Sequence, residues 1–281
     1  MQQPAVWAGL TLDRPRIMGI VNVTPDSFSD GGDHGSAEAA IATGLRMAAD
    51  GADIIDVGGE STRPGAATIP PDIEQRRVIP VIQALSDKGL CLSVDTRNAA
   101  TMLAALRAGA TIVNDVSGLT YDAAAAAVVA EHRCPVVLMH MRGTPATMRA
   151  RAVYGDVVED VLAELRDCLA KAEQAGIPRD AIMLDPGVGF AKNADQSVAV
   201  LGGLRRFAAL GRPLLVGVSR KSFIGSVAKE PDPTRRLPGS LAANLFALSQ
   251  GAAIVRVHDV RETRQAIQIW SALNLARNQM L

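Results

Sequence analysis

The sequence predicts an α/β protein folded as one (β/α)8 barrel, and three observations lead there. Short apolar runs, mostly β-branched, recur eight times along the 281 residues. Each is followed by a segment with helical spacing. Each also stops abruptly at a glycine or a polar residue, as strands of a parallel sheet do where they hand over to loops that carry chemistry. An open doubly wound sheet is the rival architecture, but eight regular units without a shift in composition favour closure and a single domain over residues 1–281.

Ile17 to Val21 is the first run; it ends at Asn22, and Thr24-Pro25-Asp26-Ser27-Phe28-Ser29-Asp30-Gly31-Gly32 reads as a loop. Ser36 to Asp50 carries Ile41, Leu45 and Ala48/Ala49 at helical spacing and stops at Gly51. The second strand, with Ile54, Ile55 and Val57, breaks at Gly58 and Gly59, after which Glu60, Ser61, Thr62, Arg63 and Pro64 arrive together. Pro71 to Asp87 reads as helix. The third strand, Leu90 to Val94, ends at Asp95-Thr96-Arg97 and leads to a helix around Asn98 to Ala108. The fourth, Thr111 to Val113, ends at Asn114-Asp115 and leads to a helix from about Asp122 to His132. Pro135 introduces the fifth, Val136 to Met139, which ends at His140; an amphipathic helix runs from Asp156 to Ala175. Ile182 to Leu184 ends at Asp185-Pro186-Gly187, with a helix expected near Asp195 to Leu210. Leu214 to Val218 ends at Ser219-Arg220-Lys221-Ser222, ahead of a helix near Leu237 to Gln250. Ala253 to Val257 closes the set with Arg256 and His258, and Asp259 with Glu262 forms a cap-like pair for a last helix. Closing such a TIM barrel brings Asn22, Thr62, Asp95, Asn114, Met139, Asp185, Lys221, Arg256 and His258 to one rim at the C-terminal ends of the strands, where active sites of this architecture lie.

Composition narrows the partners. With 48% hydrophobic but only 3% aromatic residues, aliphatic side chains and alanine fill the core. Lys+Arg 29 balance Asp+Glu 29, so nothing global advertises a nucleic acid or a membrane surface, and any anion site must be local. The amino terminus lacks a basic segment followed by an apolar one, and Ala123 to Ala130 is far short of the ~18 residues of a spanning helix. A cytoplasmic protein is expected. Cys91, Cys134 and Cys168 show neither an even count nor CxxC spacing, which fits reduced core cysteines.

The rim suits a small ligand with a polar heterocyclic edge at one end and an anion at the other. The Asp185 carboxylate can accept two parallel N–H bonds, as a 2-amino pyrimidinone edge offers, and Asn114 can donate and accept beside it. Lys221 brings a positive charge near a ring carbonyl. Arg256 and His258 fit phosphate oxygens, with Asn22 able to hold a hard cation between them. Plainer readings stand beside these: Asp95 and Asp185 as helix caps, Asn114 and Asn22 as turn residues, Met139 as core, Arg63 as a solvated charge, His140 as a supporting side chain. They weaken jointly, since all would have to hold at every strand end.

Ser226-Val-Ala-Lys229 matches S-x-x-K without the partner motifs, and Gly187-Val-Gly189-Phe-Ala-Lys192 misses the third glycine of a dinucleotide fingerprint. A longer match covers nearly the whole chain. Met18-Gly-Ile-Val-Asn22, continuing through Thr24 to Gly32, resembles the bacterial dihydropteroate synthase family, as do Asp56-Val-Gly-Gly-Glu-Ser-Thr-Arg-Pro-Gly65, Ser93-Val-Asp-Thr96, Met139-His-Met141, Asp185-Pro-Gly187, Gly217-Val-Ser-Arg-Lys-Ser222 and Arg256-Val-His-Asp259. The resemblance implies joining 6-hydroxymethyl-7,8-dihydropterin diphosphate to 4-aminobenzoate with release of pyrophosphate, and it implies Mg²⁺ and a homodimer. It places the pterin on Asp95, Asn114, Asp185 and Lys221 with Met139 against the ring, and the diphosphate and metal on Asn22, Thr62, Arg256 and His258. Aminobenzoate would sit against Phe190, Lys221 and Ser222, with Arg63, Pro64, Phe28 and Asp30 closing over it. Val188, Ala191 and the pair Arg97-Asn98 depart from the common family pattern. The alternatives are a pterin-dependent methyltransferase, expected to lack the Ser61 to Pro64 loop, and a silent pterin-binding paralogue, expected to lose Lys221 or the first loop.

Overall fold

The computed structural model describes residues 5–24 and 32–279. It opens with a hairpin that no sequence pattern announces, β1 (Val6–Trp7) paired antiparallel with β2 (Leu10–Thr11), because two-residue strands are too short to show a period. The eight expected strands follow: β3 (Arg16–Asn22), β4 (Ile54–Gly58), β5 (Leu92–Asp95), β6 (Ile112–Asp115), β7 (Val136–Met139), β8 (Ile182–Asp185), β9 (Leu215–Gly217) and β10 (Ile254–Val257). All pair in parallel, in the order β8-β7-β6-β5-β4-β3-β10-β9. A parallel bridge between Leu184 and Leu214, with the Leu184 N–H donating to Pro213 at 3.0 Å, joins the two ends into a barrel.

Helices α1 (Gly32–Asp50), α2 (Pro71–Ser86), α3 (Ala99–Arg107), α4 (Ala125–His132), α5 (Val157–Gln174), α6 (Ala194–Gly202), α7 (Leu204–Phe207), α8 (Ser222–Ala228), α9 (Leu237–Ser249) and α10 (Val260–Gln279) lie between and after the strands. The helix expected over Asp195 to Leu210 is broken at Gly203, where a β-carbon would sit 3.0 Å from Val158. Helix α8 was not anticipated. Asp259, expected as a cap, directly precedes α10, where its carbonyl accepts from the Thr263 N–H at 3.1 Å, and its carboxylate binds the Arg220 guanidinium. Among the described residues no helix is long and apolar enough to cross a membrane.

The strand alternation decides where the site lies. Val21, Ile55, Val57, Val94, Val113, Leu138, Leu184, Val216 and Val255 face the helices and belong to the outer core. The alternate residues face inward. Met18, Ile54, Ile112, Val137, Met183, Leu215 and Ile254 form an apolar floor with Trp7, whose indole N–H donates to the Ala181 carbonyl at 2.9 Å. One step of two residues up the same strands stand Ile20, Asp56, Asn114, Met139, Asp185, Gly217 and Arg256. The barrel interior thus turns from hydrocarbon to charge within a single pleat.

Candidate active site

At the centre of that upper layer Arg256 bridges two acids from across the barrel. Its Nε donates to Asp56 Oδ2 and its Nη2 to Asp95 Oδ2, each at 2.6 Å. Asp56 Oδ2 also accepts from Asn114 Nδ2 at 3.0 Å, which turns the Asn114 amide oxygen away as the free acceptor. Asp56 Oδ1 and Asp95 Oδ1 are buried without a partner. Burial raises the Asp95 carboxyl above the ordinary range; Arg256 opposes the shift, and the Asp56 charge adds to it. Gly58 gives Asp95 room, since a β-carbon on it would come within 3.3 Å of the Asp95 Cβ. Sequence reading missed Asp56. The signal was there: it is the only charged residue inside the β4 run Ile54–Gly58, at the inward-facing phase.

The plainer reading of Asp95 and Asp185 as helix caps fails. The N-cap positions of α3 and α6 are held by Asn98 and Asn193, and of the two only Asn193 makes a side-chain capping bond, to the Gln196 N–H. Asp185 Oδ1 accepts from the Gly187 N–H at 2.7 Å, leaving Oδ2 without a hydrogen bond among the described residues. Burial raises its pKa, with Lys221 pulling back. Lys221, just past β9, donates to the Val188 carbonyl and lies over the Phe190 ring, 4.4 Å from its centroid. Burial lowers its ammonium to about 8, against the attraction of Asp185.

Around this core stand the outer candidates. Asn22 ends β3, half-buried, and its amide makes no hydrogen bond among the described residues. His258 follows β10; its backbone N–H and its Nδ1 both approach Ser219 Oγ, at 3.2 and 3.0 Å, and burial lowers its pKa to about 4. It faces the mouth as a neutral imidazole rather than a cation. Thr62, Arg63 and Pro64 lie on the loop after β4, whose base is tied down firmly. Glu60 accepts from Arg97 Nε and Nη2, both at 3.0 Å, and from the Ile69 N–H at 3.2 Å. Asn98 in turn donates to Glu74 at 2.9 Å. The two residues that depart from the common pattern after Asp95-Thr96 therefore anchor the loop and its supporting helix. Arg63 and Pro64 are exposed at its tip, Ser222 is exposed at the start of α8, and Met139 is buried in the upper layer. Among the described residues no hydrogen bond links Thr62, Pro64 or Ser222 to the acidic cluster. Phe28 and Asp30 lie outside the described residues.

His140 is a supporting residue, as expected: buried, with Nε2 2.9 Å from Glu164. Cys91, Cys134 and Cys168 are free, and burial raises all three thiols.

The sequence profile of the pterin binding enzyme family matches residues 18–258. The dihydropteroate synthase of Synechocystis sp. is 46% identical over 275 residues, covering 96% of this chain and 95% of its own, and that of Escherichia coli K12 is 46% identical over 269 residues, covering 95% of each. The chain belongs to the dihydropteroate synthase family. It is accordingly a transferase of folate biosynthesis. The solved dihydropteroate synthase of Xanthomonas albilineans with 4-aminobenzoic acid superposes with a TM-score of 0.90 at 49% identity, over 95% of this chain and 96% of that one. The same enzyme in complex with 7,8-dihydropteroate gives 0.86 at 47% identity, over 94% and 95%.

Proposed function

We propose that the chain joins 6-hydroxymethyl-7,8-dihydropterin diphosphate to 4-aminobenzoate in the cytoplasm, releasing pyrophosphate. The observation that carries this reading is the upper barrel layer, where Asp185, Asn114 and Lys221 offer acceptor, acceptor and cation to the edge of a flat heterocycle. The pterin would lie there with its 2-amino and N3–H edge on Asp185 and Met139 against the ring. The diphosphate would point outward to Thr62, His258 and the remaining donors of Arg256. Departure of pyrophosphate leaves positive charge on the pterin methylene, and the buried carboxylate of Asp95 is the group placed to stabilise it. The arylamine is neutral at pH 7 and needs no strong base, so the reaction asks no proton abstraction of the Ser219 Oγ and His258 Nδ1 pair. Phe190, Lys221 and Ser222 would seat it, with Arg63, Pro64, Phe28 and Asp30 above. An assay of pyrophosphate release with and without 4-aminobenzoate tests the reading; release that ignores the arylamine would reject it.

A divalent cation fits the mouth only in part. Among the described residues no three His, Cys, Asp or Glu side chains are grouped to hold a metal. The unbonded Asn22 amide at the end of β3 is a hard oxygen donor, however, and Mg²⁺ commonly takes few protein ligands and fills its octahedron with phosphate oxygens and water. Mg²⁺ bound with the diphosphate would neutralise the leaving group. Exhaustive chelation is expected to abolish turnover and added Mg²⁺ to restore it; full activity after chelation would remove the metal role.

Lys221 sets a pH limit. Its ammonium, lowered to about 8, is charged below that pH and neutral above it. If it faces a ring carbonyl, dihydropterin affinity should hold from pH 6.5 to 7.5 and fall about tenfold by pH 9.5. Titration calorimetry across that range checks this; affinity flat to pH 9.5 would take Lys221 off the ring. A homodimer is proposed as well, supported by the exposed side chains Phe246 on α9 and Ile269 and Leu273 on α10, two helices packed side by side.

A further inference from the structure

The loop 186–192 between β8 and α6 is bent unfavourably for a chain left to itself. Gly187, Gly189 and Ala191 all have left-handed φ, at +67°, +82° and +47°. A β-carbon on Gly187 would lie 2.0 Å from the His140 carbonyl oxygen, and Ala191 holds a left-handed conformation that a side chain disfavours. What holds this shape is Lys192, a residue that neither the mechanism above nor the rim uses. Its amine is buried, which lowers its pKa to about 7, and it has three polar partners: His140 Nδ1 at 2.9 Å, the Gly187 carbonyl at 3.0 Å and the Phe190 carbonyl at 3.0 Å. His140 accepts at Nδ1 because its Nε2 proton goes to Glu164, and Glu164 is held by Arg142. A second tether, Tyr154 Oη to the Ala191 carbonyl at 2.9 Å, acts on the same loop.

The held loop supplies what Lys221 rests on: the Val188 carbonyl that accepts from its ammonium and the Phe190 ring beneath it. We propose that Lys192 is a positioning residue for the condensation: by tying Gly187 and Phe190 to His140 from behind the loop, it fixes where Lys221 and Phe190 receive the arylamine. This rests on the reaction proposed above. Asp185 itself is anchored by β8 pairing and by His140 N–H donating to its carbonyl at 2.9 Å, so the pterin edge depends less on Lys192 than the arylamine seat does. The ionisable groups facing the amine are Asp185 and Lys221 from the mouth, His140 and Arg142 from the loop after β7, and Glu164 from α5.

Lys192→Met keeps the length and removes the three bonds. With wild type active, the variant is expected to raise the KM for 4-aminobenzoate at least about tenfold and lower kcat by about the same factor, since small displacements of a reacting group cost up to ~100-fold. Affinity for the dihydropterin diphosphate, by calorimetry, should fall by a clearly smaller factor, since Lys221 also serves the pterin while Asp185 keeps its anchor on β8. Unchanged kinetics, or equal losses toward both substrates, would overturn the positioning role. If the variant fails to fold, Tyr154→Phe decides. This milder cut of the same loop leaves the buried amine alone and should raise the aminobenzoate KM by about two- to fivefold with pterin affinity intact; a wild-type KM would overturn the proposal. Wild type that forms no dihydropteroate would instead refute the proposed reaction, and this role with it.

Discussion

Asp185→Asn is expected to lower dihydropterin affinity by about two to four powers of ten, or about 3–5 kcal/mol, without unfolding the barrel. The wild-type carboxylate spends Oδ1 on the Gly187 N–H and keeps Oδ2 free. An asparagine can keep the Gly187 bond through its amide oxygen, and so retain the local turn. It must then aim an NH₂ at the mouth, where the pterin edge also presents N–H. One charge-assisted bond is lost and one donor is left unpaired in a buried site. Calorimetric titration with a dihydropterin beside a thermal melt checks both halves. Wild-type affinity would remove Asp185 from the site, and a collapsed melt would make it a structural residue.

Arg256→Met is expected to cost more than binding. It leaves Asp56 and Asp95 without the guanidinium that bridges them, and each already has one buried oxygen without a partner. Breaking a buried pair from one side costs about 3–5 kcal/mol, which for a chain of this size lowers the melting temperature by about 6–20 °C at pH 7.5. The sign with pH follows from the carboxylates. Burial already raises Asp95, and loss of Arg256 removes the charge that opposes the shift. A carboxyl whose folded pKa lies above its unfolded one is destabilising while ionised, and the penalty lifts as pH falls through the folded value. The gap between variant and wild type should therefore narrow from pH 7.5 to pH 5. A gap independent of pH would assign the loss to packing instead.

The barrel was legible because its strands are buried runs that end sharply at polar residues, and the rim followed from topology once the strands were counted. Asp56 escaped for the same reason. Reading Ile54 to Val57 as uniformly buried hid the two-residue phase that points Asp56 inward beside Asn114 and Arg256. The Lys192 to His140 bond spans 52 residues, and nothing local to either says that they meet. The β1–β2 hairpin was invisible through brevity. The break at Gly203 depends on Val158 of another helix, and Gly203 alone does not reveal it.

The floor under Trp7 has a consequence for traffic. Among the described residues, hydrocarbon from seven strands fills the lower end of the barrel and the indole stoppers it, which leaves the strands' C-terminal end as the way to the acids of the upper layer. On the proposed reaction the pterin would sit nearest that floor and the arylamine nearest the opening. An arylamine that came first would stand in the doorway, so the two substrates are expected to queue, pterin first.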